Sequence, residues 1–361
     1  MRRDLQSTRL SPAYKKQLSV AFILLLAFCQ KSLGFELVLQ DISSTRVNEI
    51  LVLFLQKAYE HDSKKNYNVA KHAILSVQTI RPYFKGKLRV AWESLESWSL
   101  EVSRTLRTAI PLPVMLCYAI IARTMAIDYG GVTGYKWYAL SILIEVSFFA
   151  MLRPIEMFAL RRFFINLPGN AASLGRSFAV LAIFDPKNRR FLGSRQFSTV
   201  RSSQTTLWLS WFCEGLDDMD KLWPFSHSEF RSMLKTLGEM LGIGNWKIRP
   251  SSFRPGGCTF FFTNGVDIQK LLFWGRWLSD KSLRHYVQES ISQQLLHSLS
   301  DKASRKMRDI LDRGDSLLVP PSAPWWNFVT RPKHKTTLHV SSPEYLAPLS
   351  QRWQEIYKAE I

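Results

Sequence analysis

Cysteine is scarce in this chain, and the four that occur are far apart: Cys29, Cys117, Cys213 and Cys258. No C-x-x-C pair occurs, and no cluster of cysteine and histidine has the spacing of zinc ligands, which excludes the common zinc-binding motifs. Each cysteine lies among apolar residues, so the sequence predicts buried thiols in a reducing compartment. No metal and no cofactor is expected.

Long apolar runs are also scarce. The run within residues 19–29 is about 11 residues long, whereas a helix that spans a bilayer needs about 20. Basic residues precede it, as in a signal peptide over residues 1–30, but no small-x-small cleavage site follows. A helix that begins at Ser11-Pro12 and ends at Gly34 fits the same residues, with proline in its first turn. The helix is favoured over a signal peptide, and an anchor at residues 19–29 stays an alternative.

A second apolar run covers residues 137–152 and leads into Arg153. It is interrupted by Glu145, and basic residues continue after it. A buried helix is therefore favoured over a membrane span, and no membrane partner is expected.

Acidic residues are outnumbered, 29 against 48 basic ones, which gives a formal charge of +19. Residues 1–110 carry a net +8, residues 111–149 are neutral, and residues 150–300 again carry +8. Two basic blocks around an apolar junction are typical of a protein whose two domains grip a polyanion, because neutralised phosphates release counterions. A generic basic surface would give the same charge count, so charge alone does not decide whether the protein binds nucleic acid.

Signals for β-structure are few. Residues 177–184 predict a strand, 185–188 a turn and 196–200 a second strand. Apolar residues at helical spacing predict helices elsewhere, over residues 44–60, 67–80, 88–107, 137–152, 205–212, 226–241 and 301–312. The predicted fold class is mainly α, with a helical domain followed by a mixed, mostly helical domain that contains a small β-hairpin or sheet.

A chain of 361 residues suggests two domains. The segment Pro111-Leu-Pro113 breaks the helical pattern and predicts a linker. We therefore expect a basic helical domain over residues 11–108, a second domain over residues 111–300 and a C-terminal extension over residues 301–361.

Two separated motifs carry residues suited to chemistry on a phosphodiester. Arg153 is followed three residues later by Glu156, and Arg254 opens a helix-like run. Gly275-Arg276-Trp277 follows, and Tyr286 lies 32 residues after Arg254 and 9 after Trp277. Arginine binds phosphate oxygens with two parallel hydrogen bonds and keeps its charge. Indole only donates, which suits an anionic oxygen, and a phenol can attack phosphorus.

Together these residues resemble the catalytic domain of phage-integrase-type tyrosine recombinases, most closely the divergent integrase-like proteins of eukaryotic genomes. The resemblance covers roughly residues 11–300. It implies that Arg153 and Arg254 clamp the phosphate, that Trp277 donates to it and that Tyr286, on a helix, is the nucleophile. It also implies that residues 11–108 form the core-binding domain, which crosses the DNA opposite the catalytic domain.

The family's general acid is a lysine in a β-hairpin, and Lys187 stands in the predicted hairpin turn, alone between Lys136 and Lys221. One departure concerns the family's His-x-x-Arg box, which is Ser251-Ser-Phe-Arg254 here. Serine cannot titrate near neutrality as histidine does. Three outcomes stay open. Ser251 is sufficient in place of the family histidine, or His285 or Lys247 takes over the role of that histidine, or the enzyme is slow or inactive.

The resemblance implies site-specific breakage and rejoining of DNA through a 3′-phosphotyrosyl intermediate, by a recombinase or integrase of a mobile element or its descendant. Duplex DNA would be the partner, and two or four copies would assemble on it. The protein would act in the nucleus if eukaryotic, and otherwise in the cytoplasm with the DNA. A non-catalytic DNA-binding relative of the same fold, and DNA relaxation as by a type IB topoisomerase, remain alternatives.

Overall fold

The computed structural model describes residues 10–101, 108–169, 178–184, 186, 192–317 and 319–332, and the chain divides into two compact units, Met1–Thr105 and Leu106–Ile361. The described residues form a mainly α fold with one small antiparallel sheet of three strands. The predicted fold class is therefore confirmed at this level.

The first unit consists of α1 (Pro12–Phe28), α2 (Ser44–Ile80) and α3 (Arg89–Glu101). Proline in the first turn of α1 fits because its missing N–H has no partner there in any helix, and the Ser11 hydroxyl caps the same turn by accepting from the Tyr14 N–H at 3.3 Å. A short π-helical turn continues α1 to a left-handed Gly34, where the sequence predicts the helix to end.

One kink interrupts α2, where the sequence predicts two separate helices. Asp62 has φ −162° and ψ 95°, which no helix accommodates. Its carboxylate accepts from the backbone N–H groups of Lys64 and Lys65, at 3.1 and 3.0 Å, and so caps the second half of the helix. Apolar faces of all three helices close the core of this unit, with Leu25, Leu51 and Leu95 among its buried residues.

The second unit contains ten helices among its described residues: α4 (Leu112–Tyr129), α5 (Gly131–Phe149), α6 (Pro154–Ala159), α7 (Ser203–Cys213), α8 (His227–Met240), α9 (Phe253–Thr263), α10 (Ile268–Gly275), α11 (Asp280–Arg284), α12 (Glu289–His297) and α13 (Asp301–Arg313). The central pair is α4 and α5. Every residue of α5 from Gly134 to Phe149 is buried. Glu145 on this helix is neutralised by Arg123, at 2.6 Å. The apolar run is therefore a core helix, as its sequence predicts.

Two helices in the described part of the chain are long and apolar enough to cross a membrane, Pro12–Leu33 and Leu112–Tyr129. The second is mostly buried within its own unit. All four cysteines are free and buried, as predicted, and burial raises the pKa of the Cys258 thiol to about 12.

The sheet has the order β1 (Ile165–Asn166), β2 (Val180–Phe184), β3 (Arg195–Thr199), with antiparallel pairs throughout. The sequence predicts β2 and β3 but not β1, which is only two residues long and so carries no alternation to detect. The sheet is attached to the end of α5, because the Ser198 hydroxyl donates to the Ala150 carbonyl at 2.7 Å.

Two adjacent glycines allow α9 to approach the end of α5. A Cβ at Gly257 would lie 2.0 Å from the Phe148 carbonyl oxygen, and one at Gly256 would lie 2.5 Å from the Ile110 carbonyl oxygen. Neither position could accept a side chain without moving a backbone. This contact brings Arg254, in the first turn of α9, to the segment that carries Arg153.

Candidate active site

Arg153 lies where the chain turns from α5 into α6. The turn is made by Met151, which has φ 47°, an uncommon conformation for a residue with a side chain. Arg153 is the N-cap of α6, and Pro154 takes the first helical position. The Glu156 carboxylate accepts from the Arg153 backbone N–H at 2.9 Å and from its guanidinium at 2.7 Å. The short Arg-Pro-Ile-Glu motif thus fixes the backbone and side chain of Arg153 together.

Glu156 also binds a second arginine. Its Oε2, which also accepts from the Arg153 backbone N–H, accepts from the Arg276 guanidinium at 2.5 Å. The side chains of Glu156 and Arg276 are at most 5% exposed. Burial opposes ionisation of Glu156, but Arg276 and Arg153 outweigh it and hold the pKa of this carboxyl below its usual value. One buried carboxylate therefore fixes the segment of Arg153 to the Gly-Arg-Trp turn.

Arg254 is buried, and within the described ranges no carboxylate forms an ion pair with it. Its guanidinium donates to the carbonyl oxygens of Met151 and Gly275, each at 2.5 Å. Loss of solvation, reinforced by Arg153 and Arg276, lowers the pKa of Arg254 to about 9. Because carbonyls orient the group without cancelling its charge, Arg254 leaves a positive charge at this point, and its Nε has no hydrogen-bond partner among the described residues.

Trp277 lies beside this charge. The Arg254 guanidinium carbon is 4.2 Å from the centre of the Trp277 ring, within the range of a cation–π contact. The absence of a side chain at Gly275 makes room for the ring, since a Cβ there would be 1.6 Å from a Trp277 carbon. The indole Nε1 is buried and has no acceptor within the described part of the chain. An unpaired buried donor of this kind costs about 1–3 kcal/mol.

Tyr286 joins the same cluster. Its ring centre lies 5.1 Å from that of Trp277 and 5.3 Å from the Arg254 guanidinium carbon. The prediction that this tyrosine lies on a helix is wrong, because α11 ends at Arg284 and α12 begins at Glu289. Tyr286 lies in the turn between them, where its N–H donates to the Leu283 carbonyl at 2.7 Å. The ring is half-buried.

The structure thus brings Arg153, Glu156, Arg254, Trp277 and Tyr286 into one connected cluster within the second unit. It contains three guanidinium groups, counting Arg276, against one carboxylate, so the cluster is cationic. Fixed cations and N–H donors beside a phenol are suited to stabilising a phosphate that the phenol attacks. Several of these donors are shielded from solvent, so a phosphate would have to open the site locally to reach them.

The remaining predicted residues lie elsewhere or cannot be placed. Lys187 lies outside the described residues. Ser251 is half-buried in a 3₁₀ turn (Pro250–Ser252) that leads into α9. His285 and Lys247, the candidate substitutes for the family histidine, are both exposed. In the described ranges no group of three or more histidine, cysteine, aspartate or glutamate residues could hold a metal ion.

Sequence reasoning missed the role of Arg276. The residue has φ 58° and ends α10 in the left-handed conformation, and this conformation is what places its side chain on Glu156. The sequence does show a charged residue between Gly275 and Trp277, which could have indicated a role for Arg276. Its ion-pair partner Glu156, however, lies 120 residues earlier in the chain. Only the fold reveals the pair.

No family model matches the chain, and no curated protein matches it. Similar solved structures include a XerA recombinase, which is 15% identical over 84% of this chain and 94% of that one, with a TM-score of 0.38. Another is a XerH site-specific recombinase bound to palindromic difH substrate in a post-cleavage complex. It is 12% identical over 80% of this chain and 97% of that one, with a TM-score of 0.41. The pre-cleavage complex of XerH with difH substrate has a TM-score of 0.40. At these identities and TM-scores the likeness says nothing about individual side chains.

Proposed function

We propose that this protein breaks and rejoins duplex DNA as a tyrosine recombinase, with Tyr286 as the nucleophile. The observation that carries the proposal is the position of the Tyr286 ring, 5.1 Å from the Trp277 ring and 5.3 Å from the buried guanidinium of Arg254. A tyrosine that only packs in the core does not need a buried cation and an unpaired indole N–H as its neighbours. A nucleophile in phosphoryl transfer does need such neighbours, because they stabilise the charge on the phosphate.

In the proposed reaction the Tyr286 oxygen forms a bond to the scissile phosphorus while its proton leaves to solvent. The bond from phosphorus to the 5′ oxygen breaks, and Lys187 supplies the proton that this oxygen takes up. The product is a 3′-phosphotyrosyl link and a free 5′-hydroxyl. Attack of a 5′-hydroxyl on this link reverses the step, so rejoining needs no ATP and the bond count is conserved.

Arg153 and Arg254 bind the non-bridging oxygens of the phosphate, and the Trp277 indole N–H donates to one of them. Glu156 holds Arg153 in place and limits the net charge of the cluster. The buried donors gain a partner only when the phosphate enters, so these hydrogen bonds form in the complex rather than in the free protein. That is the condition for stabilising the reacting state more than the ground state.

The proposal extends to the setting of the reaction. Both basic blocks of the sequence contact duplex DNA, and two or four copies assemble on it, since recombination exchanges strands between two sites. Integration or excision by a mobile element, or by a descendant of one, is the wider role, in the nucleus of a eukaryote or with the DNA in the cytoplasm of another cell.

A second candidate is a DNA-binding protein that has the same architecture and no cleavage activity. Ser251 is the observation that favours it, because serine stands three residues before Arg254 where the resembling family has a titratable histidine.

The test is covalent trapping on nicked duplexes with a randomised central stretch, followed by denaturing electrophoresis. The nick releases a short product strand, so the phosphotyrosyl adduct accumulates. Three proteins are compared: wild type, Tyr286→Phe and Tyr129→Phe. Tyr129 is a matched control, since it is also a half-buried tyrosine of the second unit.

An adduct with wild type and Tyr129→Phe but not with Tyr286→Phe is expected. An adduct that persists in Tyr286→Phe means that another residue attacks. No adduct with any of the three, while duplex binding is retained, supports the non-catalytic candidate. Adduct formation combined with relaxation of supercoiled plasmid by a monomer would instead indicate a topoisomerase.

A further inference from the structure

The segment of Tyr286 is held between two helices that pack weakly. In α11 only Leu283 is buried, and no residue of α12 is buried. Neither helix therefore fixes the turn between them by hydrophobic packing alone. Tyr286 and Val287 pack against the core but are only partly buried, which leaves room for a second source of order.

That source is a buried threonine on α9. The Thr259 hydroxyl donates to the Tyr286 carbonyl oxygen at 3.2 Å and accepts from the Gln288 backbone N–H at 3.0 Å. Thr259 is 4% exposed. One hydroxyl thus binds the chain immediately on both sides of residue 287, and it does so from the helix that carries Arg254.

Gln288 extends the network in two directions. Its side-chain oxygen accepts from the Ala109 N–H at 3.2 Å, and its side-chain nitrogen donates to the His285 carbonyl oxygen at 3.2 Å. Gln288 is 6% exposed. Ala109 is itself followed by Ile110, whose N–H donates to the Ser252 carbonyl oxygen at 3.3 Å, in the turn that leads into α9.

We infer that Thr259 and Gln288 are positioning residues, which hold the backbone of Tyr286 at a fixed place relative to Arg254. The inference rests on the proposed function and deepens it, because neither residue touches the phosphate. A nucleophile displaced by about 1 Å can cost roughly 100-fold in rate. Hydrogen bonds to backbone atoms next to the nucleophile act on this distance directly.

The decisive variant is Thr259→Val, which keeps the shape of the side chain and removes both hydrogen bonds. Thr259→Ser keeps the hydroxyl and is the rescue. Thr206→Val is the matched control, because Thr206 is also buried, donates to the Ser202 carbonyl at 2.8 Å and accepts from the Ala179 N–H at 3.3 Å, away from the site. Gln288→Leu tests the second member of the network.

Two measurements are made on the full chain. The first is the rate of adduct formation on the nicked duplex at saturating concentration, together with the Kd for DNA. The second is hydrogen exchange of the amides at residues 285–288, which needs no catalysis. Thermal unfolding is recorded for each variant, so that loss of stability is not mistaken for loss of positioning.

For Thr259→Val and Gln288→Leu we expect the saturated rate to fall roughly 10- to 100-fold with an unchanged Kd, and exchange at residues 285–288 to speed up. Thr259→Ser restores the rate and the slow exchange. Thr206→Val lowers the melting temperature and changes neither the rate nor the exchange at residues 285–288.

A wild-type rate in Thr259→Val, or the same rate loss in Thr206→Val, overturns the inference. If wild type forms no adduct, the proposed function fails, and the exchange data alone decide the inference. Unchanged exchange in Thr259→Val overturns it.

Discussion

The guanidinium carbon of Arg254 lies 4.2 Å from the centre of the Trp277 ring. A carboxylate in that place would have neutralised the arginine, whereas a ring face and two carbonyl oxygens orient it and leave its charge in place. With a pKa lowered to about 9 by burial, Arg254 remains protonated at neutral pH. The pair is therefore arranged to receive an anion.

Arg153→Ala and Arg254→Lys should reduce adduct formation by about 10²–10³-fold each, the usual effect of losing one preorganised donor at a reacting centre. Lysine cannot span the carbonyls of Met151 and Gly275 as the planar guanidinium does. Duplex binding should stay within a few-fold, because in the proposed complex each arginine would contact one phosphate among many. Binding is measured by mobility shift, with the exposed Arg231→Ala as control. Joint loss of folding and binding would mean that these arginines are structural.

Glu156→Gln should destabilise the fold at pH 7 by about 3–5 kcal/mol, because it removes the buried negative charge that two guanidinium groups share. The pKa of Glu156 in the folded state lies below its ordinary value of 4.5. The stabilisation is therefore fully present above pH 4.5 and is lost as the pH falls through the folded-state pKa. Urea unfolding at a series of pH values should show the difference between wild type and variant narrowing in acid. Glu214→Gln, at an exposed position, is the control for the substitution itself. A difference between wild type and Glu156→Gln that stays constant with pH would contradict the assignment.

Gly275→Ala should displace the Trp277 ring, since the new Cβ would lie 1.6 Å from a ring carbon. We expect the adduct to be lost and the free energy of unfolding to fall by about 1–3 kcal/mol, as for other overpacked sites. Gly244→Ala is the control, because its nearest neighbour would be at 3.4 Å, the Glu239 side chain. Cleavage by Gly275→Ala at the wild-type rate would show that the reaction does not need the indole in this place.

Duplex binding should fall steeply with salt. If Z phosphates are neutralised, log K falls against log[salt] with a slope of about −0.9Z, and both basic blocks should contribute to Z. Titration of a labelled duplex between low and high salt measures the slope. Affinity that does not change with salt would refute binding by two basic blocks.

The fold class, and the candidate residues that the structure brings into one cluster, could mostly be predicted from the sequence, for identifiable reasons. A long apolar run marks α5, which is buried on all sides, and apolar residues at helical spacing mark α13, which buries one face. The order and spacing of short motifs single out Arg153, Glu156, Arg254, Trp277 and Tyr286. A proline or glycine beside each of the first four shapes the local turn, whereas Tyr286 is marked by its spacing alone. The expectation of a helix at Tyr286 failed because α11 ends at Arg284. The Tyr286 carbonyl accepts from the hydroxyl of Thr259, 27 residues away in the chain, and no local pattern predicts such a contact.

What the sequence did not reveal depends on contacts between distant residues. Arg276 reaches Glu156 only because a left-handed residue ends α10. The short strand β1 exists only because β2 pairs with it. Pro111 is the N-cap of α4 and Pro113 lies in its first turn, where a helix tolerates proline. The linker expected at these prolines stays a prediction.

The last prediction concerns Ser251, which lies three residues before Arg254 in the turn that leads into α9. If the wild type cleaves slowly, Ser251→His should raise the rate, because imidazole can accept or supply a proton near neutrality and serine cannot. The gain should depend on pH around the ordinary histidine pKa of about 6.5. Ser251→Asn is the matched variant, since it adds hydrogen-bonding groups without a titratable proton.

The measurement is the rate of adduct formation at saturating DNA, from about pH 5.5 to 8.5, a range chosen to bracket that pKa. A gain shared by histidine and asparagine would show that hydrogen bonding, not proton transfer, was lacking. No gain in a Ser251→His protein that folds and binds DNA would mean that another group already fills the role. His285→Ala and Lys247→Ala would then identify it, because His285 directly precedes Tyr286 and Lys247 lies four residues before Ser251. Loss of the adduct in one of them alone would assign the function to that side chain.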